Sequence, residues 1–313
     1  IALKMAFQYW RQRGGQHALR TSFVGLADGY HGDTIGAVSV GGIDLFHGAY
    51  EPLLFHKRSV PAGDASALAT TLERHGEEIA AVIVEPLVQG AGVILVQPPG
   101  YLRRVRELCD LHGVLLICDE VATGFGRTGT LFASEQCGVR PDLMCLGKGL
   151  TAGYLAMSAT VASGRVFDAF LGDDLGPRTL YHGHSFSGNA LAAAVALRHL
   201  ELLDASEVLV NVRARSDELR GLLGDRIASL PQVREVRLHG LMGGVELAPP
   251  RAGLRWGRRV CAAAVRRGVL LRPLGDVVVL MPPLTVTSQE IHEIVHVLAD
   301  AVTEAATDDG GAS

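Results

Sequence analysis

The chain has 313 residues, of which 48% are hydrophobic and 20% are charged, and its formal net charge is −4. This composition predicts an ordinary globular protein with a large core and about two domains, and it excludes the basic footprint of a nucleic-acid-binding protein. Because no apolar run reaches the roughly 20 residues that cross a bilayer and no signal peptide is recognisable, we expect a cytoplasmic protein without membrane contact.

The first half of the chain alternates between strand and helix patterns. β-rich runs at 81–84, 114–118 and 143–146 are separated by helical segments such as 101–112. Such alternation predicts parallel strands joined by crossover helices. The chain opens at Ile1 inside an amphipathic helical pattern with no capping residue before it, so we expect a front part to be missing.

The second half favours a smaller α+β domain. Its predicted elements are helices at 189–203 and 206–230, strand-like segments at 233–248 and 268–283, a helix near 254–267 and a last helix from about residue 289. We therefore predict an α/β protein with a large domain over residues 1–205. A linking helix and a small C-terminal domain are expected over residues 206–313.

Two short motifs favour other enzyme classes when each is taken alone. The segment GFGRTG, residues 124–129, has the glycine spacing of a dinucleotide-binding loop, but it does not follow a strand directly and no acid lies about 20 positions on. HEIVH, from His292 to His296, has zinc-peptidase spacing, yet both histidines fall on the polar side of the predicted helix and no third ligand follows. Since the five cysteines are scattered, we expect no metal site.

Charged side chains follow two apolar runs of the first half. LLICDE, residues 115–120, ends in Asp119 and Glu120, and LGKG, residues 146–149, places Lys148 between two glycines. A buried acid needs a charged or hydrogen-bonding partner, and ligand crevices in open α/β sheets lie beyond the carboxyl ends of the strands. Burial of Lys148 would favour its neutral amine, which attacks aldehydes, whereas the simpler interpretation is an exposed loop lysine.

An acid and a lysine placed in this way can bind opposite ends of one flat cofactor. Pyridoxal phosphate needs both, because a lysine forms a Schiff base with its aldehyde and an acid beside its ring nitrogen keeps the pyridinium charged. Asp119 and Lys148 fit these two roles. We expect Glu120 to begin the turn that leads on around the pocket.

Five motifs in chain order carry a resemblance to a known family. They are GYHGDTIGAVSV (29–40), IVEPLVQGAGV (83–93), CDEVATGFGRTG (118–129), LGKGLTAGY (146–154) and YHGHSFSGN (181–189). Over essentially its whole length the chain resembles the class III aminotransferases of pyridoxal phosphate fold type I. The resemblance implies a mostly parallel sheet flanked by helices, pyridoxal 5'-phosphate as cofactor, small-molecule substrates and a homodimer with its active site at the interface.

The resemblance also implies roles for individual residues. Lys148 and Asp119 would be catalytic. Tyr30 would lie over one face of the cofactor ring and border the substrate, although it could instead be a half-buried core tyrosine. In HGHS, Gly183 would approach the substrate, and the two residues after it, His184 and Ser185, would meet the cofactor phosphate of the neighbouring subunit. Ser185 could instead be a helix N-cap.

Two features resemble the branch of this family that acts in biotin synthesis. Ala122 stands where most members have glutamine, and LLRPLGDVVVLMPPL, residues 270–284, resembles a stretch whose arginine receives a substrate carboxylate. Arg272 inherits that role, although it could instead pair with a structural acid. We expect Glu85 and Gln89 to shape the site. By resemblance the amino donor is S-adenosylmethionine or lysine.

Several departures and alternatives stay open. The Gly-Ser phosphate loop of the family is expected upstream of Ile1, and some members have tyrosine where Val279 stands. The closest alternative is another class III ω-aminotransferase with a different amine and keto acid. Further alternatives are a zinc peptidase, a nicotinamide-dependent dehydrogenase and a non-catalytic binding protein on the same scaffold.

Overall fold

The computed structural model describes residues 1–251 and 253–307, which divide into two compact units. The first unit contains residues 1–92, 97–125 and 132–202. The second unit contains residues 93–96 and 126–131 and the chain from residue 203 onward. Two short internal segments thus belong with the C-terminal unit, which the sequence patterns did not indicate.

The first unit is built from alternating helices and strands. Its helices are α1 (Ala2–Arg13), α2 (Ile35–Val40), α3 (Asp44–His47), α4 (Ala65–His75), α5 (Tyr101–Leu111), α6 (Gly164–Asp168) and most of α7 (Ala190–Ala205). Its strands are β1 (Ser22–Leu26), β2 (Lys57–Val60), β3 (Ile79–Val84), β4 (Val88–Gln89), β6 (Leu115–Asp119), β7 (Leu143–Leu146) and β8 (Ala159–Ala162). Short 3₁₀ helices cover Gly15–Leu19, Gly48–Leu53, Ala133–Cys137 and Lys148–Thr151.

Six of these strands form one mostly parallel sheet in the order β2-β1-β3-β6-β7-β8. Neighbouring strands run parallel except β8, which pairs antiparallel with β7. Every residue of β3 and β6 is buried, as expected for central parallel strands that helices cover on both faces. The predicted fold class is therefore confirmed.

Helices pack on both faces of this sheet. One apolar cluster joins α4 and α5 to alternate strand residues such as Val82 and Leu116. A second cluster joins α1 and α6 to the residues between them, such as Ile83 and Ile117. Because side chains alternate across a strand, one buried run supplies both clusters, which explains why these strands are apolar throughout.

The second unit combines an antiparallel sheet with three helices. Its strands are β5 (Leu95–Val96), β9 (Val233–His239), β10 (Met242–Leu247), β11 (Arg272–Leu274) and β12 (Val277–Leu280), and its helices are α8 (Val208–Arg226), α9 (Trp256–Arg266) and α10 (Ser288–Thr307). The sheet order is β11-β12-β10-β9, and α10 packs against α8 and α9. Within the described ranges, no helix has the length and apolar character needed to span a membrane.

Candidate active site

The carboxyl edge of the six-stranded sheet brings together the polar residues that the sequence singled out in the first unit. Four adjacent parallel strands, β1, β3, β6 and β7, end at this edge. Glu85 directly follows β3, Asp119 is the last residue of β6, and Lys148 lies two residues beyond β7. Asp119 is in register with Cys145 of β7, so the acid and the lysine follow neighbouring strands. This edge is where open α/β sheets bind their ligands.

Asp119 is held at this edge by one hydrogen bond to each carboxylate oxygen. The residue is only 7% exposed. His31 places its Nδ1 atom 2.7 Å from Oδ2, and the backbone N–H of Val121 donates to Oδ1 over 3.1 Å. Since a carboxylate offers about four lone-pair positions, Asp119 keeps capacity for a further donor. The sequence reasoning missed His31, whose one signal was its place directly after Tyr30.

The neighbouring acid, Glu120, is fully occupied by the protein itself. Its Oε2 atom accepts hydrogen bonds from the Thr123 hydroxyl over 2.6 Å and from the backbone N–H of Ala133 over 3.0 Å. Its Oε1 atom accepts from the backbone N–H of Ser134 over 2.8 Å. Glu120 is completely buried. It therefore ties the turn after β6 to the start of the 3₁₀ helix Ala133–Cys137 and has a structural role.

Lys148 lies in a strained backbone turn with an exposed side chain. Its φ of 42° lies in the left-handed region, which is uncommon for a residue other than glycine and often marks a functional site. The next residue, Gly149, packs closely on Phe125, because a Cβ atom at Gly149 would lie 2.9 Å from Cβ of Phe125. The expected burial of Lys148 is not observed: within the single chain its side chain is exposed.

Tyr30 is half-buried beside the edge, and its backbone N–H donates to Oε1 of Glu85 over 3.1 Å. Its ring lies parallel to that of His47, with ring centres 6.1 Å apart and an interplanar angle of 10°. Burial raises the pKa of the Tyr30 hydroxyl, and a hydrogen bond to the Asp33 carboxylate raises it further. Burial also raises the pKa of Glu85.

Gly183, His184 and Ser185 all lie on an exposed segment before α7. The segment is held locally, since the backbone N–H of His184 donates to the Ser187 hydroxyl over 3.0 Å. Ser185 is not the N-cap of the helix, as one alternative held. That position belongs to Asn189, whose side-chain oxygen accepts a hydrogen bond from the Leu191 N–H over 3.0 Å at the start of α7.

Arg272 begins β11 in the second unit and is exposed. It stands directly opposite Val279 of β12, so the two side chains share a face of the sheet. Across the described ranges 1–251 and 253–307, Arg272 forms no ion pair with an acid. The alternative that it neutralises a structural acid is therefore wrong for this part of the chain.

The GFGRTG segment forms a run of turns and does not open a helix, so the dinucleotide interpretation is wrong. Its arginine, Arg127, is half-buried in the second unit and donates to the carbonyl of Pro282 over 2.6 Å. The backbone N–H of Leu241 donates back to the Arg127 carbonyl over 3.0 Å. Burial lowers the pKa of the Arg127 guanidinium to about 10. The motif thus anchors strand-connecting segments of this unit.

The HEIVH segment lies on α10 with both histidines exposed. His292 places Nε2 3.1 Å from an oxygen of Glu218, and His296 places Nε2 3.7 Å from Asp300. Among the described residues, no three histidine, cysteine or acidic side chains are grouped so that they could hold a metal. The zinc-peptidase interpretation is therefore wrong for these histidines, which belong to a solvated helix face.

Comparison with known proteins gives a consistent result. The family model for "Aminotransferase class-III" matches residues 1–302. The chain is 46% identical to an adenosylmethionine-8-amino-7-oxononanoate aminotransferase from Nitratidesulfovibrio vulgaris, over 99% of this chain and 62% of that protein. The chain thus spans less than two thirds of that relative's length.

Solved structures agree with the sequence relatives. The crystal structure of adenosylmethionine-8-amino-7-oxononanoate aminotransferase from Methanocaldococcus jannaschii superposes with a TM-score of 0.92 at 37% identity, covering 97% of this chain and 72% of that one. An amine transaminase from an uncultivated Pseudomonas species, solved in its PLP-bound form, superposes with a TM-score of 0.89 at 37% identity, covering 97% of this chain and 74% of that one. With its strand-end acid and lysine and these matches, the chain belongs to the class-III aminotransferases.

Proposed function

We propose that this protein transfers an amino group to 8-amino-7-oxononanoate, giving 7,8-diaminononanoate for biotin synthesis, with S-adenosylmethionine or lysine as donor. The observation that carries the reaction type is the placement of Asp119 and Lys148 beyond adjacent parallel strands, β6 and β7. The substrate assignment is supported by the relatives that share 46% and 44% identity with the chain and bear that substrate in their names.

The donor set at the edge of the sheet fits pyridoxal phosphate. Lys148 would hold its aldehyde carbon through Nζ, Asp119 would accept a hydrogen bond from the protonated ring nitrogen, and Tyr30 would cover one face of the ring. When bound, the cofactor supplies an electron sink for the pair left behind as a proton leaves the substrate carbon. The remaining acceptor capacity of the buried Asp119 supports this assignment, because it leaves room for one charged donor.

Lys148 would also move the proton. With its amine free, Lys148 would take a proton from the substrate carbon at Nζ as a base and would give that proton up again as an acid. Two features support this role: the side chain is exposed, and it forms no side-chain hydrogen bond within the part of the chain that the structure describes. Among the described residues, no hydrogen bond therefore restrains Nζ of Lys148 away from the carboxyl edge of the sheet.

Arg272 would receive the carboxylate of the substrate. A planar guanidinium presents paired N–H donors that match the two oxygens of a carboxylate. Support comes from its exposure and from the lack of an acidic partner among the described residues. The facing residue Val279 is 8% exposed and apolar, which leaves the guanidinium without competition from that side chain.

We propose that the protein works as a homodimer in which Gly183, His184 and Ser185 reach the substrate and cofactor phosphate of the partner. Within one chain, no hydrogen bond among the described residues joins these three residues to Asp119 or Tyr30. The same unit exposes several large apolar side chains, a feature typical of an interface. These are Tyr154 (82% exposed), Leu175 (77%), Phe186 (77%) and Leu191 (73%).

The test is a product assay with the protein expressed from its complete gene. The protein is incubated with pyridoxal phosphate, 8-amino-7-oxononanoate and either S-adenosylmethionine or lysine, and 7,8-diaminononanoate is measured by mass spectrometry. We expect product with one of the donors and none with Lys148→Ala, whereas Lys57→Arg serves as the matched control and retains activity. Absence of product with every donor would overturn the proposed reaction.

A second substrate class is favoured by one observation. The amine transaminase from the Pseudomonas species shares 37% identity with this chain, the same value as the relative from Methanocaldococcus jannaschii. A panel of simple amines with pyruvate as acceptor therefore accompanies the assay. Turnover of that panel without turnover of 8-amino-7-oxononanoate would assign the chain to amine transamination instead.

A further inference from the structure

The turn that carries Lys148 packs directly on an aromatic residue of the turn after β6. A Cβ atom at Gly149 would lie 2.9 Å from Cβ, 3.0 Å from Cδ2 and 3.2 Å from Cγ of Phe125. Close packing of this kind leaves no room for a side chain. The φ of Gly149 is not positive, so it is the close approach to Phe125, and not backbone freedom, that requires glycine here. The backbone beside Lys148 therefore rests on Phe125.

The ring of Phe125 is itself held in place. Phe125 is 2% exposed, and its ring meets that of Phe132 edge-on, with ring centres 5.6 Å apart and an interplanar angle of 73°. The ring of His199, on α7, lies 6.3 Å away. The backbone N–H of Ala133, the residue after Phe132, donates to the buried Glu120 carboxylate over 3.0 Å. The surface on which Gly149 packs is therefore anchored to several elements of the first unit.

The two residues that this contact joins both have strained backbones. The φ of Phe125 is 57° and that of Lys148 is 42°. A left-handed φ is an outlier for a bulky residue such as phenylalanine, and it is uncommon for lysine. Such conformations persist where the surrounding packing fixes them, and they cluster at functional sites. Packing of Gly149 on Phe125 is the contact that links the two strained turns.

The direction of the Lys148 side chain depends on its backbone turn. Within the part of the chain that the structure describes, Nζ forms no side-chain hydrogen bond, so no polar contact directs it. The Leu150 N–H donates to the Gly147 carbonyl over 2.9 Å, which closes the turn around Lys148. The position of this closed turn over the sheet edge is then determined by what it packs against. A misplacement of about 1 Å in a reacting group can slow a reaction about a hundredfold.

We propose that Phe125 is a positioning residue for Lys148: its ring supports Gly149 and so fixes the backbone turn that directs Nζ toward the cofactor aldehyde. This inference rests on the proposed function, in which Lys148 holds that aldehyde. Asp119 begins the segment 119–125 that ends in Phe125, so one short stretch of chain carries both the acid and the support of the lysine. Phe125 is assigned no contact with substrate or cofactor.

Two forms of the cofactor separate this role from general packing. The aldehyde of pyridoxal phosphate condenses with a lysine amine and releases water, whereas pyridoxamine phosphate carries an amine instead and cannot form that bond. Phe125→Ala should weaken binding of pyridoxal phosphate about tenfold and that of pyridoxamine phosphate less than about threefold, because only the aldehyde form depends on the direction of Lys148. Absorbance titration of the cofactor-free protein, expressed from its complete gene, measures both affinities. Any other pattern, including equal weakening of both forms, would overturn the positioning role.

Gly149→Ala tests the same contact from its other side. The added methyl group would displace the lysine turn from Phe125, so we expect the same selective loss of pyridoxal phosphate binding. This variant keeps the test valid where Phe125→Ala does not fold. Phe23→Ala is the matched control, because Phe23 is a phenylalanine of β1 with a similar exposure of 4%. It should leave the ratio of the two affinities unchanged, and a lowered ratio there would contradict a specific role for Phe125.

Lys148→Ala distinguishes failure of this inference from failure of the proposed function. Removing the amine should abolish the preference for the aldehyde form, whether or not 8-amino-7-oxononanoate is a substrate. A preference that survives in Lys148→Ala would contradict the proposed role of Lys148 itself. A preference that is lost in Lys148→Ala but kept in Phe125→Ala and Gly149→Ala would overturn the positioning role alone.

Discussion

Two buried aspartates at opposite edges of the same strand pair have opposite surroundings. Asp142 immediately precedes β7 at the amino edge, and Asp119 ends β6 at the carboxyl edge; each is 7% exposed. Asp142 accepts hydrogen bonds from the Leu116 N–H and from Arg106, both over 2.9 Å, and it also pairs with Arg165. Asp119 has a histidine and one backbone N–H instead.

The difference in partners explains why one buried aspartate stabilises the fold while the other remains available for chemistry. Two guanidinium groups carry permanent charge and neutralise Asp142, which fastens β6, β7, α5 and α6 together. Among the described residues Asp119 meets an imidazole and a backbone N–H and no guanidinium, so it has no permanently charged partner there. Burial alone does not distinguish a structural acid from a functional one; the charge of its partners does.

The largest expected effect is on folding and comes from Asp142→Asn. This change leaves the half-buried Arg106 without its main counterion, so we expect the free energy of unfolding to fall by about 3 to 5 kcal/mol. Urea unfolding measures it. Asp110→Asn is the matched control, since Asp110 is 63% exposed and pairs with the same Arg106; it should cost less than about 1 kcal/mol. A similar fall in the free energy of unfolding in both variants would contradict the structural role assigned to the buried Asp142.

The reverse pattern is expected for Asp119→Asn. Removing the charge beside the ring nitrogen should lower kcat about a hundredfold to a thousandfold, the usual effect of losing one electrostatic group aimed at the reacting centre. The urea midpoint should fall less than in Asp142→Asn, because the amide is isosteric, retains one acceptor oxygen and leaves no guanidinium without its counterion. An Asp119→Asn variant that unfolds early but keeps its kcat would place Asp119 with Asp142 as a structural acid.

Arg272→Gln should affect substrate binding alone. Losing a charge-assisted hydrogen bond to a carboxylate predicts a KM for 8-amino-7-oxononanoate raised about tenfold to a hundredfold with little change in kcat. Steady-state kinetics distinguish the two parameters. The exposed Arg255→Gln, on the same unit, is the control and should leave KM unchanged. A fall in kcat with an unaltered KM would argue against a carboxylate contact at Arg272.

The smallest effect is expected on the solvated face of α10. His292→Ala removes an exposed contact with Glu218, so the free energy of unfolding should change by no more than about 0.5 kcal/mol. Activity should be unaffected. Thermal unfolding and the product assay check both statements together. A large loss of activity on treatment with a metal chelator, reproduced by His292→Ala, would restore a metal role for this helix.

Much of the fold was predictable because it depends on local patterns. The runs at 81–84, 114–118 and 143–146 lie in β3, β6 and β7, since buried parallel strands are apolar throughout and stand out in any sequence. The predicted helix at 101–112 is α5, Tyr101–Leu111. The assignment of residues 126–131 to the second unit was missed, because membership of a unit depends on contacts distant in sequence.

The candidate site was predictable only where one residue carries its own signal. Asp119 and Lys148 could be singled out because a charge directly after an apolar run is unusual. His31 could not, because its meaning depends on Asp119, 88 residues away and across an intervening strand. Glu120 was expected to begin the turn after β6, but its three hydrogen bonds to Thr123, Ala133 and Ser134 depend on residues up to 14 positions away and could not be predicted from the sequence.

The most direct test is to find which lysine carries the cofactor. The chain has three lysines, Lys4, Lys57 and Lys148. Lys4 donates to the Tyr181 carbonyl over 3.0 Å, and burial lowers the pKa of Lys57, which makes Lys57 the strongest competitor as a nucleophile. Borohydride reduction of the pyridoxal phosphate-bound protein, followed by peptide mass mapping, should place the fixed group on Lys148. A group fixed on Lys57 or Lys4, or none at all, would contradict the pairing of Lys148 with Asp119.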